Sequence, residues 1–350
     1  MPEFGKKVNL RGDIMQESRM RRTLLLAVAT LLATLPLHAD DGAASIAAGG
    51  LVLMKREPRI TMAKEVLQIS PSKVIVDYDF RNDSDTPITT VVAFPVPAYT
   101  FGEEENTFGD PAFSDFQLTI NGNVAVFFTE ARAFLSKRDI TEMLKLNHID
   151  AATFGHWNSK QHDYDLIPDF QRVSPEAQRR LTAAGAFKDG EPLWSVSKKY
   201  YWTQTFQPRA TVHVRHQYTP AVGGSNTIGD VKNFNPKSEE YAELASLCPT
   251  KALLNTLSHQ QHFDPASGDN FSLNYVDFIL TTANAWKTPI EDFTLIIEHR
   301  NPPNLSTPYV SFCWSGPVEK LDANRFSAHI ANLVPTNELR VGYIWKAPTR

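Results

Sequence analysis

The sequence predicts a mainly β protein built of antiparallel β-sandwich modules with short helical insertions. Three observations carry this. β-branched and aromatic residues alternate with polar ones at period two in several runs, turn residues separate those runs, and about 310 residues follow an apolar leader, enough for two domains or one large sandwich.

The leader comes first. Arg19, Arg21 and Arg22 precede the apolar run Thr23 to Leu37, and Leu37-His38-Ala39 is followed by Asp40-Asp41. This is the form of a signal peptide cleaved after Ala39. A retained membrane anchor is the rival, but about 15 apolar residues interrupted by Pro36 fall short of the ~20 that span a bilayer. Met15 and Met20 offer later starts. The expected location is periplasmic or secreted, with no transmembrane anchor after cleavage.

Residues 40–135 are expected as an N-terminal antiparallel β domain. Within Ala63 to Arg81, Val74, Val76, Tyr78 and Phe80 alternate with Ile75, Asp77 and Asp79, and Ser70-Pro71-Ser72 supplies a hairpin turn. Ile88 to Phe94 is a strand closed by Pro95-Val96-Pro97. Phe116 to Ile120 and Val124 to Arg132 are expected to form a second hairpin around Asn121-Gly122, the strongest short-range turn signal in the chain.

Residues 136–190 are expected as a helical connection. Asp139-Ile140-Thr141-Glu142 has the form of a capping box, and Ser174-Pro175-Glu176 opens a second helix that stops near Gly185. Residues 191–350 are expected as a C-terminal β domain, with strands at 198–206, 211–218, 274–282, 292–299, 309–314, 325–330 and 339–345. An insertion at about 238–263 carries Tyr241, Leu244, Leu247, Leu253, Leu254 and Leu257 at helical spacing, broken by Pro249 into two short helices.

Several stretches resemble a bacterial family, domain of unknown function 4424. They are DDGAASIAAGGLVLMK, VDYDFRNDSDTPITTVVAFPVP, KKYYWTQTFQPRATVHVRHQYTPAVGG, WKTPIEDFTLIIEH and VSFCWSGPV, which sample nearly all of residues 40–350. The resemblance implies a secreted or periplasmic β-rich protein and brings no catalytic residues with it.

Charge excludes one class of partner. The full chain has a formal net charge of −4; without residues 1–39 it keeps 29 basic and 36 acidic residues, net −7, and so lacks the basic face that nucleic acid requires. The two cysteines, Cys248 and Cys313, read as one disulfide in an oxidising compartment, with two separate buried thiols as the alternative.

Candidate sites are few. Tyr200 and Trp202 sit on an aromatic strand where one face packs in the core and the other offers a platform for a sugar ring or peptide; Trp286 and Trp314 are weighed the same way. His259 and His262 would share a helical face at i and i+3 and could hold a metal with Asp264 or Asp269, although glutamines stand where a zinc-protease helix has its glutamate. His213 and His216 fall on opposite faces of a strand. No nucleotide loop, nucleophile elbow, cofactor motif or calcium-loop spacing is found. The expected function is a non-enzymatic envelope module that binds an envelope protein or glycan. The alternative is a periplasmic hydrolase acting on envelope polysaccharide or peptide, metal-assisted at His259 and His262.

Overall fold

Residues 73–82 show how the sheets are made. Val74, Val76, Tyr78 and Phe80 are fully buried while Ile75, Asp77, Asp79 and Arg81 point outward, so one face joins the core and the other meets solvent. The computed structural model describes residues 42–47, 50–53, 56–100, 107–108, 113, 115–151, 157–158, 163–164, 173–188, 191–264, 270–299 and 308–346. The chain divides into residues 1–36 and 37–350, and every described residue lies in the second unit. The expected leader, its cleavage point and Asp269 fall outside the described residues.

In chain order the principal strands are β1 (Gly42–Ala47), β2 (Gly50–Leu53), β3 (Ile60–Ser70), β4 (Lys73–Asn82), β5 (Ile88–Pro95), β6 (Gln117–Ile120), β7 (Asn123–Val124) and β8 (Phe128–Leu135). There follow β9 (Ser195–Phe206), β10 (Thr211–Tyr218), β11 (Val222–Ser225), β12 (Phe271–Phe278), β13 (Ile290–Glu298), β14 (Tyr309–Phe312), β15 (Val318–Lys320), β16 (Arg325–Leu333) and β17 (Leu339–Lys346). Three larger sheets result. An eight-stranded sheet runs β15-β16-β13-β3-β4-β10-β6-β7; a seven-stranded sheet contains β8-β9-β5-β1-β2; a five-stranded sheet contains β14-β17-β12-β11. All these pairings are antiparallel except that of β3 with β13, which is parallel.

One face of the eight-stranded sheet is covered by the other two. Leu67, Ile69, Val76, Tyr78, Phe293 and Leu295 from it share a core with Phe94, Trp202 and Phe206 of the seven-stranded sheet and with Val276, Val341 and Tyr343 of the five-stranded one. The Tyr343 hydroxyl donates to the Ile69 carbonyl (3.3 Å) across that interface. His216 is also fully buried there, ringed by Tyr78, Phe94, Phe116 and Trp202 at centroid distances of 5.5, 5.3, 5.0 and 5.4 Å. Its strand neighbour His213 points the other way, onto Asp79 (2.9 Å), beside the Arg215 to Asp77 pair (2.8 Å). The alternation of faces along β10 thus holds.

The turns and caps follow the residue chemistry. Asn121 and Gly122 both have positive φ (50° and 78°), as a two-residue primed turn demands. Helix α1 (Thr141–Leu146) departs from the expected capping box: its N-cap is Ile140 with no side-chain cap, and the Asp139 carboxylate accepts instead from the Thr141 N–H (2.8 Å). Helix α2 (Pro175–Ala183) is capped by the Ser174 side chain, which accepts from the Ala177 N–H, and stops at Gly185 with φ 77°. Helices α3 (Ala242–Ser246) and α4 (Lys251–Gln260) pack Leu244, Leu247 and Leu257 against Phe271, Leu273 and Ile344 of the five-stranded sheet.

Two expectations need correction. The segments read as separate N- and C-terminal β domains interleave: β3, β4 and β6 share one sheet with β10, β13 and β16. Alternation says that a strand will bury one face; it does not say which strand lies beside it. The second arm of the Asn121-Gly122 hairpin also divides, since β7 pairs with β6 while β8 crosses to pair with β9 in the other sheet.

Candidate functional site

The two sheets that meet over the core each end on a short strand. β14 closes the five-stranded sheet and, among the described residues, pairs with β17 alone, placing Tyr309 opposite Ile344 and Phe312 opposite Val341. β15 closes the eight-stranded sheet and pairs only with β16, placing Lys320 opposite Phe326 and Val318 opposite Ala328. Between these edges lies a cleft of about 510 Å³.

One wall is β14 with its supports. The Ser311 hydroxyl donates to the Leu247 carbonyl (2.9 Å), and the Tyr309 hydroxyl donates to Gln260 Oε1 (3.1 Å), tying the strand to α3 and α4. The Cys248–Cys313 disulfide, with Cα atoms 5.0 Å apart, joins the end of α3 to the residue after β14. The expected pairing is therefore present. Trp314 then turns inward, 6.0 Å from the ring of Phe293 and 6.2 Å from that of Phe312. It lines the cleft on one side and a second cavity of about 430 Å³ on the other, the latter bounded by Leu280, Ile330, Leu333 and Pro335.

The facing wall is the inner surface of the eight-stranded sheet at its edge. Phe326 is half-buried, and His299, directly after β13, is 4 % exposed with its ring stacked on Phe326 (5.3 Å, 27°). The His299 N–H donates to the Asn324 carbonyl (2.9 Å), while its Nδ1 is buried with no partner among the described residues. Burial first, and then the charge of Lys320, hold the His299 imidazole below its ordinary pKa, with Asp322 opposing. Asp322 is itself engaged by Arg325 (2.7 Å). Val318 stands exposed at the first opening and Val334 at the second. The lining is apolar and aromatic with a few polar groups, the composition common to small-molecule pockets. Among the described residues that line it there is no nucleophile with its base and no pair of carboxylates.

The residues singled out from sequence divide. Tyr200 and Trp202 are each 2 % exposed: Tyr200 stacks on Phe116 (4.3 Å) and donates to the Phe113 carbonyl (2.7 Å), and Trp202 packs on His216. They are core, because residues two apart on a strand share a face and this face is the covered one. Trp286 is equally enclosed, 4.7 Å from Phe80. Of the four, Trp314 lines the cleft and the second cavity among the described residues. His259 and His262 do not form the expected i, i+3 pair: α4 ends at Gln260, and Gln261 is extended at φ −72°, ψ 134°, carrying His262 off the helix. Among the described residues, no group of three His, Cys, Asp or Glu side chains is placed to hold a metal. His299, Lys320 and Phe326 were missed, since they converge from three separate strand ends and no local pattern marks them.

Comparison with known proteins adds a family but no activity. No curated protein matches the chain. A crystal structure from Legionella pneumophila strain Philadelphia 1, described as that of a candidate nutrient-binding protein, matches with 14 % identity over 83 % of this chain and 68 % of that one, at a TM-score of 0.35. A superposition this loose supports no argument about fold or ligand. The model of the family described as domain of unknown function (DUF4424) matches residues 39–341, most of the sequence, and the chain belongs to that family.

Proposed function

We propose that this protein is a non-enzymatic binding module of the bacterial periplasm, or a secreted one, and that its ligand sits in the cleft between β14 and β15. The observation that carries the reading is the cleft itself. Tyr309, Phe312, Trp314 and Phe326 are half-buried there with no strand or helix of the described residues laid over them. Aromatic surface left accessible between two sheet edges gains from being covered, at about 25 cal/mol per Å² of apolar area. Export is supported by the leader pattern of residues 19–41 and by the Cys248–Cys313 bridge, which persists in an oxidising compartment. Among the described residues, no helix is long and apolar enough to cross a membrane.

The test is titration of the purified protein with fractionated periplasmic and cell-wall small molecules, glycan fragments and peptides, followed by calorimetry and repeated with Trp314→Ala. Saturable binding that Trp314→Ala weakens at least about tenfold is the expected result. Saturable binding indifferent to Trp314 would move the site elsewhere, and turnover of any titrant would replace the binding module with an enzyme.

A further inference from the structure

We propose that the occupant of this cleft is a small apolar or aromatic monocarboxylic acid, with its hydrocarbon body between Trp314, Phe312, Tyr309 and Phe326 and its carboxylate received by Lys320 and His299. The proposal rests on the reading of the cleft as the ligand site and goes on to name the ligand's chemistry.

Two polar groups on one wall carry it. His299 lines the cleft at 4 % exposure, and its Nδ1 is buried with no partner among the described residues. A buried, unpaired N–H is the costlier state of that atom, since an orphaned donor loses its full hydration. The proton of the neutral ring therefore belongs on Nε2, and the imidazole offers a donor to whatever enters. Lys320 is exposed, lies opposite Phe326 in the β15–β16 register, and makes no ion pair among the described residues. Burial first, and then the charge of Lys320, lower the His299 imidazole's pKa, with Asp322 opposing.

The other lining residues decide the sign and number of charges. None of the described side chains that bound the cleft is a carboxylate, although acidic residues outnumber basic ones in the chain by 39 to 35. A cation and a neutral donor with no carboxylate among the described lining residues suit an anionic acceptor, and Asp322, whose charge reaches His299 from outside that lining, is engaged by Arg325. A phosphate would call for a larger set of donors than one ammonium and one imidazole, and a sugar for polar partners along its whole body. The remaining walls are chiefly Leu253, Val310, Val318 and aromatic rings, which suit a hydrocarbon body. At about 510 Å³ the space is on the scale of small-molecule sites.

The experiment compares 4-phenylbutyrate with 4-phenylbutan-1-ol, which share a body and differ in charge, by calorimetry on the full chain at neutral pH. Lys320→Gln at the exposed position, His299→Phe in the wall and Trp314→Ala at the partition are measured beside the wild type. The acid should bind at least about tenfold more tightly than the alcohol, and Lys320→Gln should remove most of that preference while leaving the alcohol's affinity in place. Equal affinities, both weakened by Trp314→Ala, would overturn the carboxylate assignment and leave the cleft as a ligand site. A preference for the acid that survives Lys320→Gln would overturn it too, as would the failure of both compounds to bind. In that last case the cleft reading stands or falls on the envelope titration above.

Discussion

His216 is a basic group that the fold keeps neutral, and its removal should change how the protein responds to acid. The imidazole is fully buried among Tyr78, Phe94, Phe116 and Trp202, and burial lowers its pKa from 6.5 to about 3. Between those values the unfolded chain binds a proton that the native state refuses. Stability from this site is therefore fully present above pH 6.5 and is lost as pH falls toward 3, at about 1.4 kcal/mol per unit. At about pH 4.5, two units below the unfolded value, the loss amounts to about 3 kcal/mol. Asp83 does not confuse this window. Hydrogen bonds from Lys287, Arg81 and Thr61 hold its carboxyl well below the ordinary range, so its contribution is present above 3.8 and disappears only at lower pH. His299 titrates in the same direction as His216 but is common to both proteins in the comparison. The assay is denaturant unfolding followed by tryptophan fluorescence at about pH 7.5, 6.5, 5.5 and 4.5 for the wild type and His216→Phe. A phenyl ring suits the aromatic surroundings and cannot take up a proton. The variant should lose about 3 kcal/mol less than the wild type between pH 7.5 and 4.5. Parallel losses would show that His216 is protonated in the native state or reaches water, and would refute the reasoning.

Three further outcomes follow from the geometry. Replacing both cysteines with serine opens a loop of 65 residues and should cost about 4 kcal/mol, while reduction of the wild type should add the mass of two hydrogens; an unchanged mass would remove the bridge. In Gly342→Ala the new Cβ would stand 2.2 Å from Leu247 Cδ1, so the substitution should destabilise by about 1–3 kcal/mol, and pairing it with Leu247→Ala should give a loss smaller than the sum of the two. Strict additivity would contradict that contact. Ser174→Ala deprives the Ala177 N–H of its acceptor at the start of α2 and should cost about 1 kcal/mol in thermal or chemical unfolding, with Ser174→Asp close to neutral.

What could be read from the sequence is what a strand or turn decides for itself. The alternation in residues 73–82, the primed turn at Asn121-Gly122, the Ser174 cap and the break at Pro249 between α3 and α4 each depend on neighbours a few positions away. Boundaries slip where one motif runs into another. The strand expected at 274–282 is observed at Phe271–Phe278, because Thr281–Ala285 coils into a 3-10 turn in which the Glu338 carboxylate accepts from the Leu280 and Thr281 N–H groups (2.8 and 3.1 Å). That partner lies more than fifty positions away, and nothing local announces it. The parallel pairing of β3 with β13 is of the same kind, as is the choice among aromatic residues. Tyr200 and Trp202 lie in the richest aromatic run and are core, whereas Trp314, just past the short edge strand β14, lines two cavities.

The cleft was illegible for a physical reason that also bears on its use. A sandwich covers its core where the sheets overlap and leaves it open where their outermost strands fail to meet, so the opening belongs to no segment of the chain. Here the outermost strands are short, four residues in β14 and three in β15, and β15 carries Lys320. Short edges bearing lysine deter pairing with another sheet. The same features prevent either edge from reaching across to cover Phe312, Trp314 and Phe326. A disulfide and two hydrogen bonds, from Ser311 and Tyr309, hold the β14 side in place without closing the gap. An opening that were merely a packing fault would relieve itself by collapse of β14 toward β15. Anchoring β14 to α3 and α4 opposes that collapse, and for the ligand proposed above a site kept open in advance would lose less conformational freedom on binding.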